Sequence, residues 1–524
     1  MSRSARDLIA RQARDHDREP FLYFEDQVVT FGELDRRVNR AASGLQACGA
    51  GPGTGVAIVM PNRPEWLYVF FATQRLGAYA VPVNTTLKGD SLRHVIGHSD
   101  ASVVVCDAQT QARVRDVASA TPEVKTVADA GDLMAGAERD PGIAADPSAI
   151  SAILYTSGTS GAPKGVVVRY GSFSRSFEPE GFRTAWAVLG PDPVSYTCLP
   201  LFHTNALRLT AYRALAMGKP VVLSRRFSAS RFWDEIRRYG ATTFNALGAM
   251  IPILMKQPPR PDDASNPVTV VFSAACPVSV WAAFEERFGL RLYEGYAAVD
   301  GGGYTITNLG RSPRGSIGIP ASPHRIVRED GHDVAVGEPG ELLFQIDDLQ
   351  ARRVEYYKDE QASQAKVAGG WFHTGDLVKA DQDGNLYFVD RKTDSLRRRG
   401  ENISSWEVER QLDQHPAVLE SAVFGVPSEL GEDEVMAVVV LRPGATLRPE
   451  QLTEFAENRM AGFMVPRYVE FRDALPKTPT HRIRKVDLKR HGITPDTWDR
   501  ETRRPAGPAS PGTADGPGAA GGKG

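Results

Sequence analysis

The chain contains the stretch Ile153-Leu154-Tyr155-Thr156-Ser157-Gly158-Thr159-Ser160-Gly161-Ala162-Pro163-Lys164-Gly165, in which an apolar run leads into a loop of small residues. The apolar run predicts a buried strand, and the loop supplies three glycines, four hydroxyl residues and one lysine. Bound phosphates require close approach of backbone N–H groups, hydroxyl donors and a cation, and this loop offers each of them. The spacing differs from the GxxxxGK[ST] pattern of a Walker A loop. We therefore predict a phosphate-binding loop of another type rather than a flexible surface loop.

The length and composition are those of a soluble protein with more than one domain. The 524 residues exceed what a single core ordinarily organises. Lysine plus arginine number 62 and aspartate plus glutamate 64, so bulk charge gives no reason to expect a nucleic-acid or membrane partner. The first residues are too charged for a signal peptide, and no apolar run is long enough for a membrane span. Four widely spaced cysteines without a zinc-binding spacing indicate reduced thiols and a cytoplasmic protein.

The apolar pattern predicts an α/β protein. In the first half, short apolar runs alternate with amphipathic segments, which is typical of largely parallel sheets with crossover helices. The predicted strands are Val56–Met60, Tyr79–Val83, Ser102–Cys106, Ile150–Tyr155, Val194–Leu199, Val221–Leu223 and Val268–Phe272, and the predicted helices are Phe31–Cys48, Pro64–Leu76 and Ser228–Tyr239. From about Gly315, shorter runs between turn signals predict a small antiparallel region. Its predicted strands are Ser316–Ile319, Glu341–Gln345, Leu377–Ala380 and Asn385–Val389.

A second domain is predicted after Asp390, where an α+β pattern begins. Its predicted elements are a helix at Ser405–His415, strands at Ala422–Gly425 and Val435–Leu441, and a helix from Pro449. We therefore expect an N-terminal domain at 1–390 and a C-terminal domain at 391–502. Residues 503–524 are rich in glycine, proline and alanine, which predicts a disordered tail.

The quoted loop resembles the signature loop of the adenylate-forming superfamily, which contains acyl-CoA synthetases, luciferases and nonribosomal-peptide adenylation domains. Further stretches match the family's other motifs in order: Leu76–Asn84, Leu199–Asn205, Gly340–Leu342, Phe372–Asp376 and Asp390–Ser404. The resemblance runs from about Thr30 to Lys485, and the phrase RRRGENISSWEVE is most similar to crotonobetaine/carnitine-CoA ligases. It implies a large domain of two α/β subdomains plus a small β-barrel-like subdomain, followed by a small, mobile α+β domain.

The resemblance also implies a reaction and its participants. In this family ATP and a carboxylic acid give an acyl adenylate and pyrophosphate with Mg²⁺, after which the small domain rotates and a thiol, here CoA, attacks the adenylate. Asp376 and Arg391 are implied in binding the ribose, and Gly400 in close approach to the adenylate or the pantetheine arm. His203 is implied as a gate between the substrate and thiol channels. Lys164 is implied as a catalytic residue that adds positive charge at the phosphates. Residues implied in holding the nucleotide are Thr156, Ser157, Gly158, Thr159, Ser160, Gly161, Ala274, Gly295, Tyr296, Ala297 and Val299.

The alternatives for the individual residues are ordinary ones. Outside these motifs an aspartate after Thr-Gly is commonly a turn residue, a loop lysine is commonly solvated, and a histidine after phenylalanine is commonly packed. The matched context favours the functional interpretation for Asp376 most and for Lys164 least.

Two motifs depart from the family pattern. The fifth reads Tyr296-Ala297-Ala298-Val299-Asp300, so Val299 lacks the usual threonine hydroxyl and Asp300 replaces the glutamate that holds Mg²⁺. Asp300 keeps a carboxylate for the metal on a shorter arm. In the tenth motif, Arg482 stands where a catalytic lysine is usual. Arg482 keeps the positive charge that stabilises a developing oxyanion, although its forked shape differs.

The pocket for the acid is expected near the stretches Leu199–Asn205 and Tyr296–Asp300, with Phe202, Asn205 and Gly302 in its wall. Arg208 follows His203 by five residues in an otherwise apolar segment. An arginine there could clamp an anionic group of the substrate. A salt bridge on a helix surface explains it equally well.

Three functions fit this sequence. The first is a ligase that activates a small acyl or aryl acid as its AMP ester and transfers it to CoA. The second is an ATP-dependent diazotase of secondary metabolism, which would activate nitrite and join it to an aromatic amine without CoA. The third is a nucleotide-binding protein without turnover, which would follow if Val299 and Arg482 abolish adenylation.

Overall fold

The computed structural model describes residues 5–156, 163–171, 188–247, 250–274, 276, 278–297, 300, 304–328, 330–346, 354–391, 395–399, 401–428, 431–476, 483, 485–502 and 504–505. The α-helices are α1 Ala5–Asp15, α2 Phe31–Ala47, α3 Pro64–Arg75, α4 Gly89–His98, α5 Gln111–Ser119, α6 Arg213–Met217, α7 Phe232–Tyr239, α8 Met250–Met255, α9 Val278–Phe288, α10 Glu360–Ala365, α11 Ser405–Leu412, α12 Pro449–Glu457 and α13 Lys485–His491. A 3₁₀-helix occupies Asp132–Ala135 and a π-helix Asn205–Tyr212.

The strands are β1 Pro20–Phe24, β2 Gln27–Thr30, β3 Gly55–Val59, β4 Tyr79–Pro82, β5 Ala101–Cys106, β6 Thr126–Asp129, β7 Ile150–Thr156, β8 Lys164–Arg169, β9 Ser195–Thr197, β10 Val221–Leu223, β11 Thr243–Leu247, β12 Val270–Ala274, β13 Arg291–Ala297, β14 Thr305–Asn308, β15 His324–Val327, β16 Gly340–Gln345, β17 Val367–Ala368, β18 Trp371–Ala380, β19 Leu386–Arg391, β20 Ser395–Arg398, β21 Glu401–Ser404, β22 Val418–Pro427, β23 Asp433–Leu441, β24 Tyr468–Phe471, β25 Trp498–Asp499 and β26 Arg504–Pro505.

The first sheet carries the phosphate loop between its last two strands. Its order is β6-β5-β3-β4-β7-β8, parallel except for the antiparallel pair β7–β8. Runs of valine, isoleucine and alanine suit a parallel sheet covered on both faces, here by α4 and α5 on one side and α2 and α3 on the other. Thr156 pairs with Lys164, so the loop leaves and re-enters at the carboxyl edge of the sheet. A Cβ on Gly165 would come within 2.6 Å of Ile153 Cγ2, which requires glycine there.

The second sheet stands against the first across α3. Its order is β14-β13-β12-β11-β9-β10-β1-β2, with parallel pairing from β1 to β13 and antiparallel edges at β2 and β14. Every residue of α3 except Glu65 is buried, as expected of a helix that is apolar on all sides. The carboxyl ends of β9, β11, β12 and β13 meet at one edge, which is where open α/β sheets bind ligands.

The third sheet is antiparallel and brings two predicted site residues together. Strand β18 pairs with β16 on one side, and β16 in turn pairs with β15. On its other side, β18 pairs with β17 near Trp371 and with β19 from Asp376 onward. The register places Asp376 of β18 opposite Arg391 of β19, with an irregularity immediately after Leu377. The ribose-binding pair of the sequence prediction is thus a cross-strand pair at a bulge.

The last part of the chain forms its own sheets and core. Strands β20 and β21 make a hairpin, and β22-β23-β24-β25-β26 form a five-stranded sheet against α11 and α12. Arg398 and Glu434 are buried there, with 1% and 7% of their side chains exposed and 2.7 Å between Nε and Oε2. Burial lowers the pKa of the Arg398 guanidinium to about 10, so it stays charged at neutral pH.

Most of the predicted elements are confirmed, and the differences are local. The predicted strand Ser316–Ile319 contributes only an isolated bridge between Gly318 and Leu386. The helix predicted from Ser228 begins at Phe232 after a turn in which the Arg231 N–H donates to the Ser228 carbonyl. The strand predicted at Val268–Phe272 is shifted to Val270–Ala274. Arg504–Pro505 pair with β25, so the predicted disordered tail begins with two residues in a strand, and 506–524 lie outside the described residues.

The helices in the described part of the chain are short or carry polar residues. None of them combines the length and apolar character needed to cross a bilayer.

Candidate active site

Asp376 is a buried carboxylate held by its own turn. Only 2% of the residue is exposed, and its backbone N–H donates to Thr374 Oγ1 at 3.0 Å. Gly375 has φ of 75°, a left-handed conformation that favours glycine, and its N–H donates to Glu341 Oε1 at 3.2 Å. Tyr296 donates its hydroxyl proton to Asp376 Oδ2 at 2.6 Å. The structure therefore brings three motif stretches together around the Asp376 carboxylate: Tyr296–Asp300, Gly340–Leu342 and Phe372–Asp376.

A second set of contacts links Asp300 with Lys164. The Tyr356 hydroxyl donates to Asp300 Oδ2 at 2.5 Å, and the Lys366 ammonium lies 3.1 Å from the same oxygen. Lys164 Nζ lies 5.4 Å from the centre of the Tyr356 ring and 3.3 Å from Asp359 Oδ2. Lys164 is thus an ion-paired lysine at the exit of the phosphate loop, and Tyr356 stands between it and Asp300.

Sequence reasoning missed Tyr356, Lys366 and Asp359. Tyr356 forms an isolated bridge with Val166, and the N–H of Tyr357 donates to the Gly165 carbonyl at 2.7 Å. This short segment therefore runs beside β8, although nearly 190 residues separate Val166 from Tyr356 in the chain. Strand pairing over such a separation leaves no local sequence signal.

His203 meets a carboxylate from the C-terminal part of the chain. Its Nε2 lies 3.0 Å from Glu401 Oε1, and 33% and 15% of the two side chains are exposed. The rings of Phe202 and His203 are 4.6 Å apart between centroids. Glu401 was not predicted as a partner, because its hairpin reaches the larger domain only through tertiary structure.

A buried amide fixes the segment that presents His203. Asn62 is 5% exposed, and its Nδ2 donates to the carbonyls of Leu199 and Ser224 at 2.9 Å. Its Oδ1 accepts the N–H of Leu201 at 2.9 Å. These three bonds fix the segment that follows β9, and Leu201 in that segment lies two residues before His203.

Two further contacts hold the C-terminal domain against the larger one. Ser91 Oγ donates to Glu407 Oε1 at 2.6 Å, and both residues are buried. Lys88 Nζ donates to the carbonyl of Glu457 at 3.2 Å. With the His203–Glu401 contact, they place the β20–β21 hairpin over the carboxyl edge of the second sheet.

Two residues predicted to line the acid pocket, Asn205 and Arg208, lie on the π-helix, which contacts the second sheet. A π-helix of this length is rare, and π-helical segments are frequent at functional sites. Asn205 at its start accepts a hydrogen bond on Oδ1 from Asn245 Nδ2 at 2.8 Å. Arg208 lies half-buried on the same helix, and burial lowers its pKa to about 10.

Other predicted site residues lie at strand ends or beyond the described residues. Ala274 ends β12, and Gly295, Tyr296 and Ala297 end β13. For Thr156 and Arg391 the backbone is described. The predicted residues that lie outside the described ranges are Ser157, Gly158, Thr159, Ser160, Gly161, Val299, Gly302, Gly400 and Arg482.

The cysteines supply no nucleophile. All four are free thiols, and burial raises the pKa of Cys198 and of Cys276 to about 12 and that of Cys106 to about 11. Burial also raises the pKa of Cys48. The thiols of Cys106, Cys198 and Cys276 are therefore protonated at neutral pH.

The side chains that could bind a metal are those of histidine, cysteine, aspartate and glutamate. Within the described ranges no cluster of three histidine, cysteine, aspartate or glutamate side chains is arranged to hold a metal by itself. Mg²⁺ in nucleotide sites is usually held by one or two carboxylates together with phosphates and water. Asp300 alone fits that mode of binding.

Two facing α/β sheets, a phosphate loop at the edge of one and a small domain closing over the other define an adenylate-forming enzyme. The chain belongs to the AMP-binding enzyme family, whose model matches residues 9–348, and the model of the AMP-binding enzyme C-terminal domain matches residues 407–482. The acyl-CoA synthetase branch predicted from the motifs is confirmed by the relatives.

Two curated relatives illustrate the match. The medium/long-chain-fatty-acid–CoA ligase FadD6 of Mycobacterium tuberculosis is 32% identical over 526 residues, covering 93% of this chain and 86% of the relative. The crotonobetaine/carnitine–CoA ligase of Salmonella paratyphi B is 31% identical over 490 residues, covering 88% and 93%.

One solved relative is similar in two states. The o-succinylbenzoate CoA synthetase of Bacillus subtilis, as a double mutant bound to the product analogue OSB-NCoA, matches with a TM-score of 0.80 and 26% identity over 92% of this chain and 97% of that one. The same synthetase with the acyl-adenylate intermediate OSB-AMP matches with a TM-score of 0.65 and 27% identity over 92% and 97%. Of these two structures, the complex with the CoA product analogue therefore has the higher similarity to this chain.

Proposed function

We propose that this protein activates a small carboxylic acid with ATP and transfers the acyl group to CoA. The observation that carries the proposal is the set of contacts from Asp376 through Tyr296 and from Asp300 through Tyr356 to Lys164. These contacts support a nucleotide site in which the Asp376 carboxylate faces the ribose and the Lys164 ammonium faces the phosphates. The enzyme is thus an acid–thiol ligase that converts ATP to AMP and pyrophosphate.

In the first step, an oxygen of the substrate carboxylate attacks the α-phosphorus of ATP, and pyrophosphate leaves. Asp376 and Arg391 hold the ribose, and the loop from Thr156 to Lys164 holds the phosphates through N–H and hydroxyl groups. Lys164 and Arg482 offset the negative charge that grows on the phosphate oxygens.

Asp300 would hold Mg²⁺ through one carboxylate oxygen, together with the phosphates of the nucleotide. Bound there, Mg²⁺ would supply positive charge that offsets the charge of the phosphates. Tyr356 and Lys366 hold the Asp300 carboxylate in place until the nucleotide arrives.

The Tyr356→Phe variant is expected to raise the KM for MgATP about 10-fold, because it removes a hydrogen bond to a charged group. Pyrophosphate exchange measured against MgATP concentration checks this. Tyr387→Phe is the matched control, since it removes a tyrosine–aspartate bond of 3.0 Å to Asp381 outside the site. Equal KM values for the two variants would remove Tyr356 from nucleotide binding.

In the second step, the CoA thiolate attacks the carbonyl carbon of the adenylate, and AMP leaves. The buried cysteines of the chain cannot replace that thiol. The overall structure is similar to that of a synthetase bound to a CoA product analogue, with a TM-score of 0.80, which supports the use of CoA. Glu401 holds the His203 ring at the position where the gate between the acid and thiol channels is proposed.

Glu401→Gln is expected to slow thioester formation about 10-fold while leaving adenylate formation unchanged. The amide weakens the charge-assisted bond that orients His203, and this contact belongs to the domain arrangement proposed for the second step. Rapid-quench measurement of adenylate and thioester separates the two steps. Glu450→Gln, an exposed change on the same domain, is the control. Equal slowing of both steps in Glu401→Gln would contradict a role confined to the thiol step.

Product analysis tests the function as a whole. The wild-type protein is incubated with ATP, Mg²⁺ and a panel of carboxylic acids, with and without CoA, and AMP and pyrophosphate are followed. AMP release that rises with CoA supports the ligase. Release that needs nitrite and an arylamine and ignores CoA would support the diazotase instead, and no release under any condition would favour a nucleotide-binding protein without turnover.

A further inference from the structure

Arg213 begins α6 and carries a buried positive charge. The residue is 6% exposed, and its Nε has no hydrogen-bond partner within the described part of the chain. Among the described residues no acidic side chain acts on it, and burial alone lowers its pKa, to about 10. Its Cζ lies 5.9 Å from the centre of the Phe272 ring. The guanidinium is therefore charged at neutral pH and faces an aromatic ring instead of a carboxylate.

Such a charge is costly in a protein interior, because the guanidinium loses its hydration without gaining a counterion. A methionine of similar length would fill the position without that cost. A partner that arrives with a ligand explains why an arginine stands there. The planar guanidinium suits a carboxylate in particular, since it donates two parallel N–H groups.

The register of the second sheet locates Arg213 relative to the acid pocket. Asn245, Phe272 and Tyr293 are neighbours on adjacent strands and so share one face of the sheet. Asn245 bonds to Asn205 of the π-helix, which shows that this face is the one turned toward the helix. Arg213, whose guanidinium faces Phe272, therefore lies on the face of the sheet that is turned toward the π-helix, where the acid is expected to bind.

Asn245 provides an independent observation on the same wall. It is 5% exposed, and its Nδ2 donates to Asn205 Oδ1 at 2.8 Å and to Thr210 Oγ1 at 3.1 Å. Its Oδ1 is buried without a hydrogen-bond partner among the residues that the structure describes. Buried polar atoms are nearly always satisfied in a working protein. A donor at Arg213 and an acceptor at Asn245 together predict a polar ligand at the inner end of the pocket.

We propose that the acid activated by this protein carries a second anionic group, which Arg213 binds at the inner end of the pocket. This inference rests on the proposed acid-activating function. Phe272 lies two residues, or about 7 Å, before Ala274 at the carboxyl end of its strand. The second anion is separated from the reacting carboxylate by a distance of that order. A dicarboxylic acid with a short chain or a ring between its acid groups meets this requirement.

The test compares wild type, Arg213→Met and Arg213→Lys on pairs of dicarboxylic and monocarboxylic acids of equal length. The wild type is expected to prefer the diacid in kcat/KM, and Arg213→Met to lose on the order of 100-fold on the diacid, as for other buried charge pairs. Arg213→Lys restores part of the loss. The ratio of kcat/KM for the diacid to that for the monoacid is therefore expected to fall in Arg213→Met, and an unchanged ratio would overturn the inference.

Thermal unfolding separates binding from a structural role. Without ligand, Arg213→Met is expected to unfold at the same or a higher temperature, because the substitution removes a buried charge that has no counterion among the described residues. A lower unfolding temperature with unchanged acid selectivity would overturn the inference while leaving the ligase standing. If no acid supports AMP release, the proposed function fails. In that case, a dicarboxylate that raises the unfolding temperature of wild type but not of Arg213→Met supports the anion site, and equal shifts overturn it.

Discussion

The Asp376→Asn variant is expected to lose about 10²- to 10⁴-fold in kcat/KM for ATP, as the loss of two hydrogen bonds to a charged group implies. The carboxylate is buried and held by Tyr296 and by its own turn. It would accept both ribose hydroxyls through charged oxygens, whereas the amide offers one uncharged oxygen and a donor. Steady-state AMP release at varied ATP measures the effect.

The size and shape of the Asn side chain preserve the fold, so thermal unfolding of Asp376→Asn is expected to stay close to that of wild type. Asp333→Asn is the matched control, because Asp333 is exposed and pairs with Arg325 on the same sheet. If Asp376→Asn used ATP as well as Asp333→Asn does, the ribose role of Asp376 would be wrong.

The second large effect is on stability. Replacing Glu434 by alanine is expected to destabilise the C-terminal domain by about 3–5 kcal/mol, the cost of leaving one member of a buried ion pair alone. Arg398 would remain buried, bound only to the carbonyls of Phe463 and Val465, each at 3.0 Å from Nη1. Because Arg398 belongs to the hairpin that presents Glu401, the thioester step is expected to slow as well.

Hydrogen exchange of the β23 amides measures the loss within the C-terminal domain, where a global unfolding curve would mix the two domains. The matched control is the double variant Arg398→Met/Glu434→Leu, which removes both charges and is expected to lie much closer to wild type. Equal destabilisation by the single and the double variant would show that the charge pair is not what the single change disturbs.

The sequence predicted well those features that depend on neighbouring residues. The parallel strands of the first half are continuous apolar runs, and β10 lies where Val221–Leu223 was expected. The phosphate loop begins at the end of a buried strand, as its glycines and hydroxyls indicated. Helix α2 begins at Phe31 because Thr30, just before the helix, and Glu33, in its first turn, form a capping box.

The sequence could not show features that depend on distant parts of the chain. Tyr356 reaches Asp300 only because its segment pairs with β8, and Glu401 reaches His203 only because the small domain docks over the large one. No feature of the sequence distinguishes Arg213 from an exposed helix residue, and only the structure shows that it is buried. The sequence pattern indicated Arg208, because it follows His203 by five residues in an apolar segment. The structure instead shows Arg213 buried without a counterion among the described residues.

The most direct measurement follows oxygen from the substrate into the products. An acid that supports turnover is labelled with ¹⁸O in its carboxylate and incubated with ATP, Mg²⁺ and CoA, and the products are analysed by mass spectrometry. Adenylation followed by thiol transfer predicts one ¹⁸O in AMP, none in pyrophosphate, and an acyl-CoA thioester that retains the other. Formation of ADP, or of unlabelled AMP without a thioester, would contradict the account.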